Sequence, residues 1–328
     1  MISELPLVSI GMPVYNGERY IRRALDSLLS QDYDNYEIII SDNASTDQTP
    51  KILEEYASKY PRINIYTQPE NIGAEENFLT VLKLACGKYF MWAAHDDYWL
   101  PAFVSTLVHE LNNHPDSGCA MCAWQCVAED GTLQQTVRLL GRYSPNSKGH
   151  LKMALALATP NQYSNLFYAL FRRALLLSAN NFLPGIQPSD RWGLFELSLA
   201  TRFRYVDNIL YIRAVHAEPY HKRYPIDELV QNKNEYEQKW FYLKPIPAVA
   251  RMIYESAIIP PYRKIFIIVI LPYITYKQTQ RGVRRIKQRV KRFYRGLRSG
   301  AERNLSGSDM ERREEGDHLR GTINEKQD

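Results

Sequence analysis

The first hundred residues alternate short apolar runs with amphipathic stretches. Residues 7–12 form a β-competent apolar run, which Pro13-Val14-Tyr15-Asn16-Gly17 is expected to break. Over 19–31 the side chains Tyr20, Ile21, Ala24, Leu25, Leu28 and Leu29 recur at helical spacing. A buried-type strand follows at 36–41 with Ile38, Ile39 and Ile40 at its heart, and then a polar turn, Asp42-Asn43-Ala44-Ser45-Thr46-Asp47. The pattern next predicts a helix over 51–60, stopped before Pro61, and a short strand over 63–66. A helix over 75–86 carries Phe78, Leu79, Leu82 and Ala85, and a strand over 89–94 runs into His95-Asp96-Asp97.

This β-α-β-α order predicts a parallel sheet with helices on both faces. In such sheets ligands sit beyond the carboxyl ends of the strands. Three of the four expected strands end in polar clusters there: Tyr15/Asn16, Asp42/Asn43 and Asp96/Asp97. The second half is less regular. A strand is expected over 119–127 with a turn at Glu129-Asp130-Gly131, a largely helical stretch over 151–177 interrupted at Pro160, and a strand over 203–213. From Tyr224 onward the pattern is helical, and 301–328 is polar enough to be disordered.

A chain of 328 residues holds one large α/β domain plus appendages, and 45% hydrophobic content suffices for its core. The net charge of +5 is a misleading average. Ten Lys or Arg and no Asp or Glu lie between Lys277 and Arg298, so the remainder of the chain is acidic by five. Local basicity of this kind points to one anionic surface rather than a generally nucleic-acid-binding body. Residues 265–276 precede that run, are apolar, and are too short, with Pro272 inside, to span a bilayer. Together the two segments read as an interfacial anchor on an anionic membrane surface; a solvated helix or a nucleic-acid arm are the competing readings. Met1–Pro6 leads into strand-like sequence without a signal-peptide pattern.

Cys119-x2-Cys122-x3-Cys126 invites a metal reading, but it has no fourth Cys or nearby His and lies in an apolar run. Core thiols in a reducing compartment are expected instead. Asp96-Asp97 directly after a buried strand suits a hard divalent cation, Mg²⁺ or Mn²⁺, shared with phosphate oxygens. A single carboxylate there would read as a cap on the helix near Pro101; two adjacent acids after His95 favour the metal. Asp42 either accepts from a nucleobase or ribose, or closes an Asx-turn. No G-x-G-x-x-G and no Walker-type loop occurs, which argues against dinucleotide oxidoreductases and P-loop enzymes.

The run Val8-Ser9-Ile10-Gly11-Met12-Pro13-Val14-Tyr15-Asn16-Gly17 resembles the N-terminal signature of glycosyltransferase family 2. So do Ile40-Ser41-Asp42-Asn43-Ala44-Ser45-Thr46-Asp47, then Glu70-Asn71-Ile72-Gly73, then Trp92-Ala93-Ala94-His95-Asp96-Asp97. Four ordered motifs over roughly 7–100 make the likeness specific, and it continues more faintly to about His216. The resemblance implies a GT-A fold and transfer from a nucleoside-diphosphate sugar. It would place Pro13 and Tyr15 at the base site and Asp42 on uracil or its equivalent. Asn43, Asn71 and Gly73 would join the donor-binding residues, and Asp97 with Asp96 would serve the ribose and the metal–diphosphate. The chain departs from the family at Ala94, where an acid is usual, and at Asn43-Ala44, where Asp-Gly is common.

The same likeness places the acceptor base at Pro188-Ser189-Asp190-Arg191-Trp192, with Ser189 where Glu commonly stands. Asp190 opens an amphipathic segment, 192–199, and would deprotonate the acceptor for an inverting displacement; its alternative is a first-turn acid on the helix dipole. Tyr211-Ile212-Arg213-Ala214-Val215-His216 resembles the family's late Tyr-Arg-x-x-His element. His216 would ligate the cation or touch the diphosphate and Arg213 would offset phosphate charge, with His221 as a rival histidine.

The sequence therefore predicts a GT-A, Rossmann-like α/β domain over 1–222, with a donor half (1–100) and an acceptor half (101–222). A basic helical extension over 223–300 and a tail complete the chain. The expected function is sugar transfer to a glycan or lipid-linked acceptor, in cell-surface polysaccharide synthesis, peripheral on the cytoplasmic face of the plasma membrane. A degenerate nucleotide-sugar-binding scaffold and a nucleotidyltransferase are the alternatives; nucleic acid is not an expected partner.

Overall fold

A central sheet in the order β3-β2-β1-β4-β8-β6-β9-β5, with β7 paired to β6, organises the molecule. The computed structural model describes residues 5–141, 144–158, 162–179, 189–217, 245–274 and 276, side chains excepted at 162–164, 189–190 and 245–246. By contacts the chain divides into a unit Met1–Ile274 and a segment Thr275–Asp328.

The parallel half is built from β1 (Val8–Val14), β2 (Tyr36–Asp42), β3 (Ile63–Thr67) and β4 (Tyr89–Trp92). All seven residues of β1 and all four of β4 are buried, as parallel strands covered on both faces require. Helices α1 (Ile21–Leu29), α2 (Thr49–Lys59) and α3 (Ala74–Leu84) make the crossovers. Pro13 does not end β1 as expected. The strand runs on to Val14, paired with Asp42 on β2. The last β1–β4 pair is Gly11 with Trp92, and Pro13 lies past it on the same edge, so its missing N–H removes no ladder bond.

The mixed half contains β5 (Tyr98–Trp99), β6 (Ser117–Ala128), β7 (Leu133–Val137), β8 (Leu170–Arg172) and β9 (Arg202–Val215). Helix α4 (Phe103–Asn113) packs on β6 and β9. The stretch 151–177 is not largely helical. It divides into α5 (His150–Leu157), a 3₁₀ segment Gln162–Tyr168, strand β8 and α6 (Arg173–Ser178). Strand β8 is antiparallel to both β4 and β6 and joins the two halves. Three residues, two of them buried, show no period that separates strand from helix.

Helix α7 (Ser189–Ala200) packs against α5. Its residues 191–199 are buried on every side, so the expected amphipathic pattern gives way to a core helix. Cys119, Cys122 and Cys126 lie buried in β6 as free thiols, and burial pushes the Cys122 thiol up to about 12. Helix α8 (Pro245–Glu255), the short helix α9 (Pro261–Lys264) and a helical stretch at 267–274 follow. Among the described residues no helix is long and apolar enough to cross a membrane. The expected helix from 224, the basic run and the tail otherwise lie outside the described residues, as does His221.

Candidate active site

Three adjacent strands, β2, β1 and β4, deliver their carboxyl ends to one edge of the sheet, and the loops there are locked together. The Asn43 N–H donates to Val14 O at 2.9 Å. Asn16 N–H donates to Ser45 Oγ at 2.9 Å, and Asn16 Oδ1 accepts from Thr46 N–H at 2.9 Å. Gly17 N–H donates to Thr49 Oγ1 at 2.8 Å. Both loops hold a non-glycine residue in the left-handed region, Asn16 at φ 49° and Ala44 at φ 59°. The cross-links offset that cost of about 1–2 kcal/mol per residue. Gly17 must be glycine because a Cβ there would stand 2.7 Å from Val14 Cγ2 and 2.9 Å from the His95 ring.

A third loop is clasped by Asn43. Its Nδ2 donates to Asn71 Oδ1 at 2.9 Å and its Oδ1 accepts from Ile72 N–H at 2.9 Å. Asn71 Oδ1 also accepts from Gly73 N–H, with Gly73 at φ 84° opening α3. Asn43 and Asn71 are thus engaged with one another and shape the loop.

Asp42 is buried at the end of β2, 1% exposed. One oxygen, Oδ1, accepts from Ser45 N–H at 3.2 Å, which is the Asx-turn. The other, Oδ2, is buried without a hydrogen-bond partner among the described residues. A buried acceptor left unpaired costs about 1–3 kcal/mol, so an N–H donor from outside the chain gains most at this point. The local-turn reading of Asp42 is met by Oδ1, and Oδ2 stays an open acceptor. Pro13 is buried within β1 and Tyr15 is partly buried just beyond it. Asn77, on α3, went unnoticed in the sequence; it is buried and donates to Ser41 O at 3.0 Å.

The acid pair is held from the other half. Pairing of Tyr98 with Ile212 and Trp99 with Tyr211 draws the 96–97 turn onto β9. Asp97 is buried, and both its oxygens are taken: Tyr211 OH donates to Oδ2, and Ala214 N–H donates to Oδ1 at 2.8 Å. Burial, then the charge of Asp96, raise the Asp97 carboxyl above the ordinary aspartate range, against these two hydrogen bonds. Burial and the same carboxylate push the Tyr211 hydroxyl well up.

Asp96 is more open, and its Oδ2 lies 2.7 Å from His216 Nε2. The other imidazole nitrogen lies 2.8 Å from Glu129 Oε1. Glu129 also accepts from Tyr20 OH at 2.9 Å and Arg19 Nη2 at 2.7 Å, and the Tyr20 ring stands 4.9 Å from the His216 ring, centroid to centroid. His216, then Tyr20, lower the Glu129 carboxyl. The Asp96 main-chain carbonyl accepts from Arg23 Nη2 at 2.9 Å. Asp96 and Glu129 grip one imidazole from both sides, which fixes its orientation and engages both ring nitrogens.

Among the described residues no group of three or more His, Cys, Asp and Glu is arranged to hold a metal unaided. The carboxylate of Asp96 fits a hard cation that draws its other ligands from a diphosphate, whereas His216 becomes a ligand only when its Nε2 parts from Asp96. Arg213 is exposed on β9. Asp190 stands in the first turn of α7; its side chain is outside the described residues. The contacts that Glu129, Tyr20 and Tyr211 make here were not foreseen in the sequence. Glu129 is 87 positions from His216 and looked like turn sequence only.

The family model described as glycosyl transferase family 2 matches residues 9–177. An uncharacterised protein of Mycobacterium bovis is 40% identical over 130 residues, 39% of this chain and 37% of its own length. An uncharacterised glycosyltransferase of Rickettsia prowazekii is 35% identical over 140 residues, 42% of this chain and 43% of its own. The chondroitin synthase of Escherichia coli is 26% identical over 66% of this chain and 30% of its own length. The chain thus matches less than half the length of these curated relatives. Among solved structures, TarS 1–349 of S. aureus in complex with UDP-GlcNAc superposes with a TM-score of 0.59 at 20% identity, over 81% of this chain and 72% of that one. The fold is that of the GT-A glycosyltransferases.

Proposed function

The chain belongs to glycosyl transferase family 2, and from that premise we propose that it moves a sugar from a nucleoside-diphosphate donor to a hydroxyl of a glycan or lipid-linked acceptor in cell-surface polysaccharide synthesis, with inversion. The observation that carries this reading is the unpaired, buried Asp42 Oδ2 on the strand edge that also bears the Asp96–His216 pair. Asp42 accepts from an N–H of the base, with Pro13 and Tyr15 beside it. Asn43, Asn71 and Gly73 shape the slot.

Asp96 would hold a divalent cation, Mg²⁺ or Mn²⁺, with His216 joining it once Nε2 releases Asp96, and the cation would supply positive charge for the departing diphosphate. Asp97 lies beneath them as a support, because its oxygens are already used by Tyr211 and Ala214. Glu129 is a positioning residue for His216. Arg213 adds positive charge toward the phosphates. Asp190 takes the proton of the attacking hydroxyl. The new acceptor-oxygen bond forms on the face of the anomeric carbon opposite the breaking bond to diphosphate, which leaves with the electron pair.

UDP-GlcNAc is the first donor to try, because the TarS crystals contain it. Nucleotide sugars should be screened for thermal stabilisation with and without Mn²⁺, and nucleoside-diphosphate release measured with Asp42→Ala alongside. Cation-dependent stabilisation by one base class, weakened in that variant, supports the reading. A screen in which no nucleotide sugar stabilises the protein sinks it.

A further inference from the structure

The helical stretch 267–274 is apolar all round, yet only one of its faces is covered. Ile270 and Ile274 are buried in the core, and Phe266, Ile267 and Leu271 pack against it. On the outward side Ile265 is 62% exposed, Ile268 69% and Val269 49%, with Pro272 also exposed. Positions 265, 268, 269 and 272 follow the i, i+3, i+4, i+7 rule of a single helical stripe. Tyr262 and Tyr254, on α9 and α8, are 68% and 78% exposed. Lys264 Nζ donates to Tyr254 O at 2.7 Å and so ties the two helices together. Single exposed apolar side chains need no explanation, but a run of them on one helix does.

We propose that this stripe is a docking surface for an anionic lipid bilayer. The choice of occupant rests on charge. The stripe is followed in the sequence by ten Lys or Arg with no acid between Lys277 and Arg298. Apolar side chains that enter the headgroup boundary, next to cations that meet anionic lipid, are the two signals that together hold a protein on a membrane without a span. Tyrosine at the edge suits the same boundary, since one end of its ring is apolar and the other wet. The stripe is also rigidly attached. Arg263 donates to Leu199 O at 3.0 Å and Ala200 O at 2.9 Å, which caps the carboxyl end of α7. On the transfer reading above, α7 would link the membrane face to Asp190 at its other end, about 18 Å away for a helix of this length.

The test uses the full chain in co-sedimentation with phosphatidylcholine vesicles, with and without phosphatidylserine. Wild type should partition at least ten-fold more strongly onto the anionic vesicles. The triple variant Ile265→Ser, Ile268→Ser, Val269→Ser should lose most of that binding with its melting temperature unchanged, since the three side chains face solvent. R284Q/R285Q/K287Q should weaken binding on the order of a hundred-fold, at roughly five-fold per cation. Equal binding by the serine variant and wild type overturns the proposal. So does a wild type that ignores vesicles, whether it self-associates through the stripe instead or prefers an RNA oligonucleotide. Because the assay contains no donor, a failed transfer reaction leaves its outcome untouched.

Discussion

The donor edge and the acid pair sit on one sheet but are held by different means. At the donor edge each loop is fixed by its neighbour about thirty residues away: Asn16 by Ser45, Gly17 by Thr49, Asn43 by Asn71. The acid pair is fixed from far along the chain, with Asp97 gripped 114 and 117 residues later and Asp96 120 residues later. Among the described residues the donor edge, assembled from local clasps, keeps Asp42 Oδ2 and the neighbouring Asn77 Oδ1 as buried acceptors without partners. The distant grip leaves Asp97 fully paired. Asp42 is therefore expected to be a binding residue that the fold hardly needs, and Asp97 a residue on which both fold and function depend.

The largest effect should come from Asp97→Ala. It strands the buried Tyr211 hydroxyl, at about 1–3 kcal/mol unpaired, and the half-buried Ala214 amide, so chemical denaturation should show a drop of that order along with lost activity. Asp42→Ala should do the reverse: donor affinity falls about ten- to a hundred-fold, the worth of a hydrogen bond to a charged group, while the melting temperature barely moves. If both variants unfold equally, the contrast between the two regions fails. Glu129→Gln keeps the size of the side chain but loosens the hold on His216, and should weaken Mn²⁺-dependent activity about ten-fold or more without unfolding the protein.

The pH response sharpens the same contrast. The folded protein holds the Asp97 carboxyl above its unfolded value, so it binds the proton more tightly than the unfolded chain does. That contribution is complete below the ordinary carboxylate range and is lost as pH rises toward neutrality. In EDTA, wild type should therefore lose more stability over that rise than Asp97→Asn, and parallel curves would count against the buried pair. The last effect concerns the backbone alone: at Gly73, with φ 84° and ψ 162° and open space around it, Gly73→Ala should lose about 1–3 kcal/mol of stability to backbone strain.

The parallel half was legible in the sequence because the apolar runs of β1, β2 and β4 are buried on both faces and closed by polar turns. The four motifs of the resemblance fall on those same strand ends. Strands β5 and β8, of two and three residues, were not legible, since pairing partners alone define them. Helix α7 misled in the other direction: its polar Glu196 and Ser198 suggested a solvent face, yet both are fully buried. Tyr211 and Glu129 act through contacts that close only once β9 lies beside β6, which no spacing rule anticipates.

The central claim is that the Asp42 slot and the Asp96–His216 pair form one site for a nucleoside diphosphate and a cation. Calorimetric titration of UDP and GDP into wild type, Asp42→Ala and His216→Ala, each with and without Mn²⁺, tests it directly. One nucleotide should bind wild type more tightly with Mn²⁺; His216→Ala should erase the Mn²⁺ gain, and Asp42→Ala should weaken binding under both conditions. Unchanged affinities in both variants would contradict the account.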